Sequence, residues 1–282
     1  MIYVGLSLKN LIKVYLSTKA HVVVGNVKYK CLRPHIFDKI KTLKNSKKGK
    51  SAFVFASGPS LNKLNAEKVK EYLLQGFDLL AINSYVLSEF AKIAPPTLYL
   101  LSDPVHFGKL LHMVIPEKRE EVSRVFDLVS SLNIPLFCPI EFYKLSYDKV
   151  YYYNTYSDYF SNNVSDLTKP HGFLGMTAYR ALSAAVYMGY DVIYICGYDN
   201  DWFKSIKIDD NNEIFYTNKH YYNITGHNLK VKGTDSNSLG ELLYQYHFLF
   251  KHLEKFKNYN IYNLDKDSLV DAFSKHHNLD IY

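Results

Sequence analysis

Three apolar runs in the first half of the chain each end in small polar residues. Ala52–Ala56 (AFVFA) runs into Ser57-Gly58-Pro59-Ser60, Phe77–Ile82 into Asn83-Ser84, and Leu98–Leu101 into Ser102-Asp103-Pro104. Short apolar runs bounded by turn residues read as buried strands. A later run, Val192–Cys196, ends in Gly197-Tyr198-Asp199-Asn200-Asp201. In α/β sheets, ligands bind beyond the carboxyl ends of the strands. Ser57, Asn83 and Asp103 therefore read as a lip of hydrogen-bonding groups facing one ligand, with Asp199 and Asp201 nearby. The Ser57-Gly58 turn opens a helix-like stretch whose N–H groups suit an anion, although it is neither G-x-G-x-x-G nor a Walker A sequence. Asp199 and Asp201 carry two readings. Their spacing is that of a D-x-D pair that holds Mg²⁺ through phosphate, and Asp and Asn are also ordinary turn residues.

The elements that must position these groups are legible around Gly175–Asp201. Ala178, Ala181, Leu182, Ala185 and Val186 recur at helical spacing, so Met176–Met188 reads as a helix that Gly189 stops. That helix feeds the Val192–Cys196 strand. Pro116–Leu132 reads as helix, Asn133–Pro139 carries a short strand, and Leu239–Phe256 is again helical. Asn260–Leu264 reads as a last strand and Ser268–Phe273 as a closing helix. Leu145–Pro170, with its YYYNTYSDY stretch, reads as an irregular surface excursion, with an acceptor-binding aromatic platform as the alternative. Asp201–Asn237 is polar and rich in Tyr and Asn, holding Lys204, Tyr216, His220 and His227. A loop of that length in a compact domain is often a lid. The expected fold class is α/β, a Rossmann-like, mostly parallel sheet flanked by helices. It forms a single domain over residues 51–282, with a lid at about 201–237 and a basic extension at 1–50.

The charge is unevenly divided. Residues 1–50 hold 12 Lys and Arg against one acid, Asp38, a net of +11; the remainder holds 22 bases against 26 acids, a net of −4. Lys41–Lys50 (KTLKNSKKGK) reads as the boundary between them. Leu6, Leu8, Leu11, Ile12, Tyr15 and Leu16, with Lys9, Lys13 and Lys19, fit a basic amphipathic helix at an anionic membrane surface or an ordinary solvated helix. Cys31, Cys138 and Cys196 are few, distant and odd in number, which favours a reducing compartment over a disulfide framework or Cys-based zinc. An acidic body without a nucleic-acid motif argues against a nucleic-acid partner.

Taken in order, FVFASGPSL, LLAINS, LYLLSDP, GMTAYRALSAAVYMGYDVIYICGYD, the HYY at His220 and YNIYNLDKDSLVDAF resemble the bacterial lipooligosaccharide sialyltransferases, glycosyltransferase family 42. They also resemble the broader MptE-like domain family, which includes 6-hydroxymethylpterin pyrophosphokinases. The resemblance covers residues 52 to about 275 and leaves the first 50 outside. It implies a CMP-sugar donor, no metal cofactor, and inverting displacement at the anomeric carbon. Position by position, it implies nucleotide contacts at Ser57, Gly58, Asn83 and Thr177, with Asp103 standing where the family has Asn. It implies His220 as general base and Tyr216 on the leaving phosphate, with Asp201 in place of a second such Tyr. The acceptor-contacting Arg is not evident, so the departures bear on the identity of the sugar more than on the nucleotide.

The chemistry fits these types: an imidazole titrates near neutrality and can deprotonate an acceptor hydroxyl, while Tyr hydroxyls and helix N-terminal amides stabilise a departing phosphate. The expected function is an inverting, metal-independent transfer of an acid sugar to a hydroxyl of a bacterial surface glycan or glycolipid. The setting is cytoplasmic and peripheral at the inner membrane face through residues 1–50, with a homo-oligomer possible. The alternatives are a Mg²⁺-dependent pyrophosphokinase of the MptE-like kind and a catalytically inactive partner protein with the same fold.

Overall fold

The computed structural model describes residues 8–32, 35–114, 116–156, 158, 161–171, 176–221, 223–231 and 239–282. A seven-stranded sheet forms the middle layer. Its strands are β1 (Ser51–Phe55), β2 (Asp78–Ile82), β3 (Leu98–Leu100), β4 (Leu136–Pro139), β5 (Val150–Tyr153), β6 (Val192–Cys196) and β10 (Ile261–Asn263), all parallel, in the order β10-β6-β1-β2-β3-β4-β5. The chain moves from β1 outward to β5, then returns to place β6 on the other side of β1. The crevice where the order reverses is where an α/β sheet takes its ligand. The fold is thus the α/β, Rossmann-like parallel sheet that the apolar runs imply.

Side chains alternate between two cores, as a strand's period of two requires. Ala52, Val54, Leu80 and Ile82 face one core, and Phe53, Phe55, Leu79 and Ala81 the other. Helix α7 (Thr177–Met188) covers the first face; its Ala178, Ala181, Ala184 and Ala185 let it lie close to the sheet. α7 ends at Gly189, whose φ of 79° is the left-handed conformation that glycine adopts without steric cost. The second face is covered by α3 (Ala66–Leu74), α4 (Glu89–Ile93) and α6 (Val125–Ser131) through Val69, Ala91, Val125 and Val129. Before the sheet lie α1 (Leu8–Leu32) and the single turn α2 (Asp38–Lys41). α5 (Arg119–Ser123) precedes α6, and α8 (Leu239–Leu253) packs Leu249 and Leu253 into the first core.

Several expectations are corrected. Leu145–Pro170 is not wholly an irregular excursion: it contributes β5 at the sheet edge, with Tyr153 buried and donating its hydroxyl to Leu101 O at 3.2 Å. The run Val-Tyr-Tyr-Tyr suits a strand because β-branched and aromatic side chains pack well on a pleated surface. Ser268–Phe273 is not a helix. Its polar side chains take the backbone partners a helix would need: Val270 N donates to Ser268 Oγ at 3.1 Å, and Ser268 Oγ donates to Tyr198 O at 2.6 Å. Pro116–Leu132 is broken into a 3₁₀ turn and the short α5 and α6.

The 201–237 segment, expected as a lid, is in its described part a 3₁₀ turn (Trp202–Ser205) and a three-stranded antiparallel sheet. That sheet consists of β7 (Lys207–Ile208), β8 (Ile214–His220) and β9 (Asn223–Val231), with a bulge at Asn218/His220. Residues 232–238 lie outside the described residues. The basic 41–50 segment is tied down by Asn45 N to Tyr187 O at 3.0 Å, Lys47 N to Met188 O at 2.9 Å, and a Lys47–Asp78 ion pair at 2.8 Å.

Phe53 is fully buried on β1 and stacks on Phe77 with centroids 5.4 Å apart. Phe53→Ala is expected to cost about 3–5 kcal/mol, read from urea unfolding midpoints. A loss below about 1 kcal/mol would place the stabilising core elsewhere.

Candidate functional site

The ends of β1 and β6 are laced together. Ala56 N donates to Cys196 O at 2.8 Å and Gly58 N to Gly197 O at 3.0 Å. Gly197 has φ 77°, and a Cβ there would fall 2.6 Å from Ala56 O; a Cβ on Gly58 would fall 1.9 Å from Asp199 Oδ2. Both positions need glycine because backbone and carboxylate approach too closely for a side chain. Above this seam opens a cavity of about 650 Å³.

Asp199 forms part of the cavity wall, but its carboxylate is engaged. Oδ1 accepts from Ser60 N at 2.9 Å and Oδ2 from Ser60 Oγ at 2.7 Å. Burial pushes its carboxyl up to about 6; the Ser60 hydrogen bonds oppose that, while Asp265 and Asp201 add to it. Asp201 also lines the cavity and pairs with Lys204 at 3.5 Å. Among the described residues no group of three or more His, Cys, Asp or Glu is arranged to hold a metal ion.

Ser57, Gly58 and Asn83 line the cavity beside Asp199, across the β1–β6 seam. Asn83 has φ 51°; Tyr99 OH donates to its backbone carbonyl at 2.6 Å, and its Nδ2 donates to Ser57 Oγ at 3.4 Å. Among the described residues Asn83 Oδ1 is buried without a hydrogen-bond partner, as are Asn200 Nδ2 and Trp202 Nε1, and all three residues line the cavity. A buried polar atom left unsatisfied costs about 1–3 kcal/mol, which a ligand group can recover. Thr177 opens α7, and its hydroxyl bonds Ser102 Oγ. The N-cap Met176 offers no side-chain cap, and Met176, Thr177 and Ala178 all line the cavity. The positive end of a 12-residue helix is therefore turned to the ligand space. Asp103 is not brought to this cavity. Its carboxylate caps the 3₁₀ turn Pro104–Phe107, accepting from Val105 N at 3.2 Å. Its neighbour Ser102 is the residue that reaches Thr177.

The third wall comes from the antiparallel flap. Tyr216 on β8 packs on Trp202 with centroids 4.7 Å apart, and Trp202 also meets Tyr246 of α8 at 5.1 Å. Burial raises the Tyr216 and Tyr246 hydroxyls above the usual range, so both remain protonated donors at neutral pH. His220, at the end of β8, is half-buried and lines the cavity. It is held there by its neighbour: Tyr221 is buried, Tyr221 N donates to Ser57 O at 3.0 Å, and Asn62 Nδ2 donates to Tyr221 O at 2.7 Å. His227 lies on β9, and its side chain is outside the described residues. Sequence reasoning missed Ser60, Trp202, Lys219 and Tyr246 as cavity or network residues, while Asn200 lies within the Tyr198–Asp201 stretch where a site is expected. The available signals were Ser60 in the same SGPS turn and Trp202 as the single Trp of the chain.

In comparisons with known proteins, no family model, curated protein or solved structure matches this chain.

Asp199 supplies a pH test. Its carboxyl sits above the ordinary 3.8, at about 6, so the folded state keeps a proton that the unfolded state has lost. Stability from this group therefore falls as pH rises through that window. The difference in unfolding free energy between the wild type and Asp199→Asn should change by up to about 3 kcal/mol from pH ~4 to ~7. Parallel pH profiles for the two proteins would refute the assignment.

Proposed function

We propose that the chain is a nucleotide-sugar-dependent transferase. It moves an acid sugar from a CMP-linked donor to a hydroxyl of a glycan or glycolipid, with inversion and with His220 as general base. The observation that carries this reading is the convergence of Ser57, Gly58, Asn83, Thr177, Tyr216 and His220, from four separate parts of the chain, on one cavity at the sheet's switch point. Its volume of about 650 Å³ suits a small-molecule ligand of nucleotide-sugar size. On this reading the nucleotide lies over the β1 and β2 ends, where Asn83 Oδ1 awaits a donor. The phosphate meets the first-turn amides of α7, and the sugar lies against Trp202, Tyr216 and Tyr246, whose apolar faces and polar tips suit a glycosyl ring.

The reaction asks for two things. His220 takes the proton of the acceptor hydroxyl as its oxygen bonds to the anomeric carbon, and the bond from that carbon to the phosphate oxygen breaks with its electron pair leaving on phosphate. The helix N-terminus and the protonated Tyr216 hydroxyl stabilise that leaving charge. Asp199 has both oxygens turned to Ser60 and Asp201 is paired with Lys204, which favours a reaction needing no metal bridge over Mg²⁺-assisted phosphoryl transfer. The activity belongs to the cytoplasm, where activated sugars are made.

Thermal shift with CMP, CDP, UDP, GDP and ATP, each with and without Mg²⁺, is the direct test. CMP is expected to raise the melting temperature without Mg²⁺, and His220→Ala to keep CMP binding while turnover of a CMP-sugar falls by about 10²–10⁴. Stabilisation by ATP alone, and only with Mg²⁺, would move the assignment to phosphoryl transfer. Full turnover in His220→Ala would remove the base.

A further inference from the structure

Helix α1 presents two different apolar faces. One is seated on the body: Val22 and Tyr29 are buried, and Gly25 lies so close to the Tyr156 ring that a Cβ would fall 2.2 Å from it. Lys19 adds an ion pair to Asp158 at 2.6 Å, and His21 and Tyr29 both contact Tyr156. The other face is bare. Ile12, Leu16, Val23 and Val27 are 51%, 60%, 58% and 54% exposed. At about 100° per residue these four fall within roughly 60° of one another and about 140° round from the seated face. They form an outward stripe about 22 Å long, extended in width by Val24 at 66% exposure. The helix contains five lysines and no acid; among them, Lys9 and Lys13 are exposed near its start.

Exposed aliphatic side chains in a continuous row are costly in water and call for a cover. Charge decides which. A second copy of α1 would bring like charges together without an acid to offset them, which disfavours pairing. No helix among the described residues is long and apolar enough to cross a membrane. A helix lying in the plane of a surface, apolar side down and flanked by lysines, matches the interface of a bilayer carrying anionic lipid.

We propose that the outer face of α1, built on Ile12, Leu16, Val23 and Val27, is a docking surface for a bilayer that contains anionic phospholipid. The inference goes beyond the transferase reading and does not depend on it. Its structural consequence is that the seated face holds the body rigidly against the lipid. Tyr156 and Asp158 belong to the segment that precedes α7, and that segment is braced by Asp158 N to His171 O at 2.9 Å and His171 N to Tyr156 O at 3.2 Å.

The test is co-sedimentation of the full chain with vesicles of phosphatidylcholine alone or with about 30 mol% phosphatidylglycerol. The wild type is expected to bind the anionic vesicles at least about tenfold more tightly than the neutral ones, and to lose that preference as salt screens the lysines. Leu16→Ser/Val23→Ser/Val27→Ser should weaken binding by about tenfold or more with an unchanged unfolding midpoint, since these side chains lie outside the core. Lys9→Gln/Lys13→Gln provides a second arm that leaves the stripe intact and should cost about 30-fold on anionic vesicles. Three results would overturn the proposal: no vesicle binding, equal binding to both compositions, or a dimer in sedimentation velocity that the triple-serine variant dissociates.

Discussion

The site depends on the seam between β1 and β6. Two neighbouring parallel strands must stay together past the point where the ladder ends, and here they do so by close backbone approach together with the Ser60 hydroxyl. Gly58 N reaches Gly197 O, and Gly197 N reaches Ser60 Oγ at 3.1 Å. Neither glycine can carry a side chain without striking Ala56 O or the Asp199 carboxylate. Other parts of the molecule are fastened to the same seam. Tyr221 N bonds Ser57 O, Leu264 N bonds Ile195 O at 2.9 Å, and Leu269 N bonds Asp199 O at 3.2 Å. Loosening it would release the flap and the C-terminal segment together with the ligand space.

Asp199 shows what such a seam costs. Two hydrogen bonds from Ser60 favour its charged form, yet burial and the nearby Asp265 outweigh them and its carboxyl is driven up to about 6. The residue is therefore a net liability to stability at neutral pH. What it supplies is geometry: it fixes the turn of Gly197–Asp201 against the 3₁₀ turn Pro59–Lys63, so that Asn200 and Trp202 reach the cavity. Asp265 would deepen the penalty if left alone, but Lys63 meets it at 2.8 Å and shares its ammonium with Asp267 at 2.7 Å.

The strands were legible because each is a short apolar run closed by turn residues, and burial on both faces leaves no other place for such runs. The lip at Ser57 and Asn83 followed from that, since a parallel sheet points every carboxyl end the same way. Asp103 followed the same logic but is not at the cavity, because an Asp before Pro at a turn start readily caps its own backbone and is consumed locally. Residues 268–273 failed for a related reason: the helical spacing of Leu269, Val270 and Phe273 is overridden by Ser268 and Asp265 bonding the chain nearby. β5 was hidden because an edge strand of Tyr residues carries little of the aliphatic signal that marks a central strand. The far half of α1 was hidden because apolar residues on two faces cancel the amphipathic signature.

The placement of His220 on the cavity is secured in part by the residue that follows it. β8 and β9 pair in an antiparallel ribbon that alone would be marginal, and its bulge at Asn218/His220 breaks the alternation at the residue in question. The anchor is the next residue. Tyr221 buries its ring beside Tyr85 at 6.2 Å and uses both its backbone N–H and its carbonyl to grip the 57–62 turn. Because those bonds run through the backbone of residue 221, the identity of the side chain at 220 does not enter into them. His220 lines the same cavity as Ser57 and Asn83 at the ends of β1 and β2. The main chain of residue 221 thus sets where residue 220 meets the cavity.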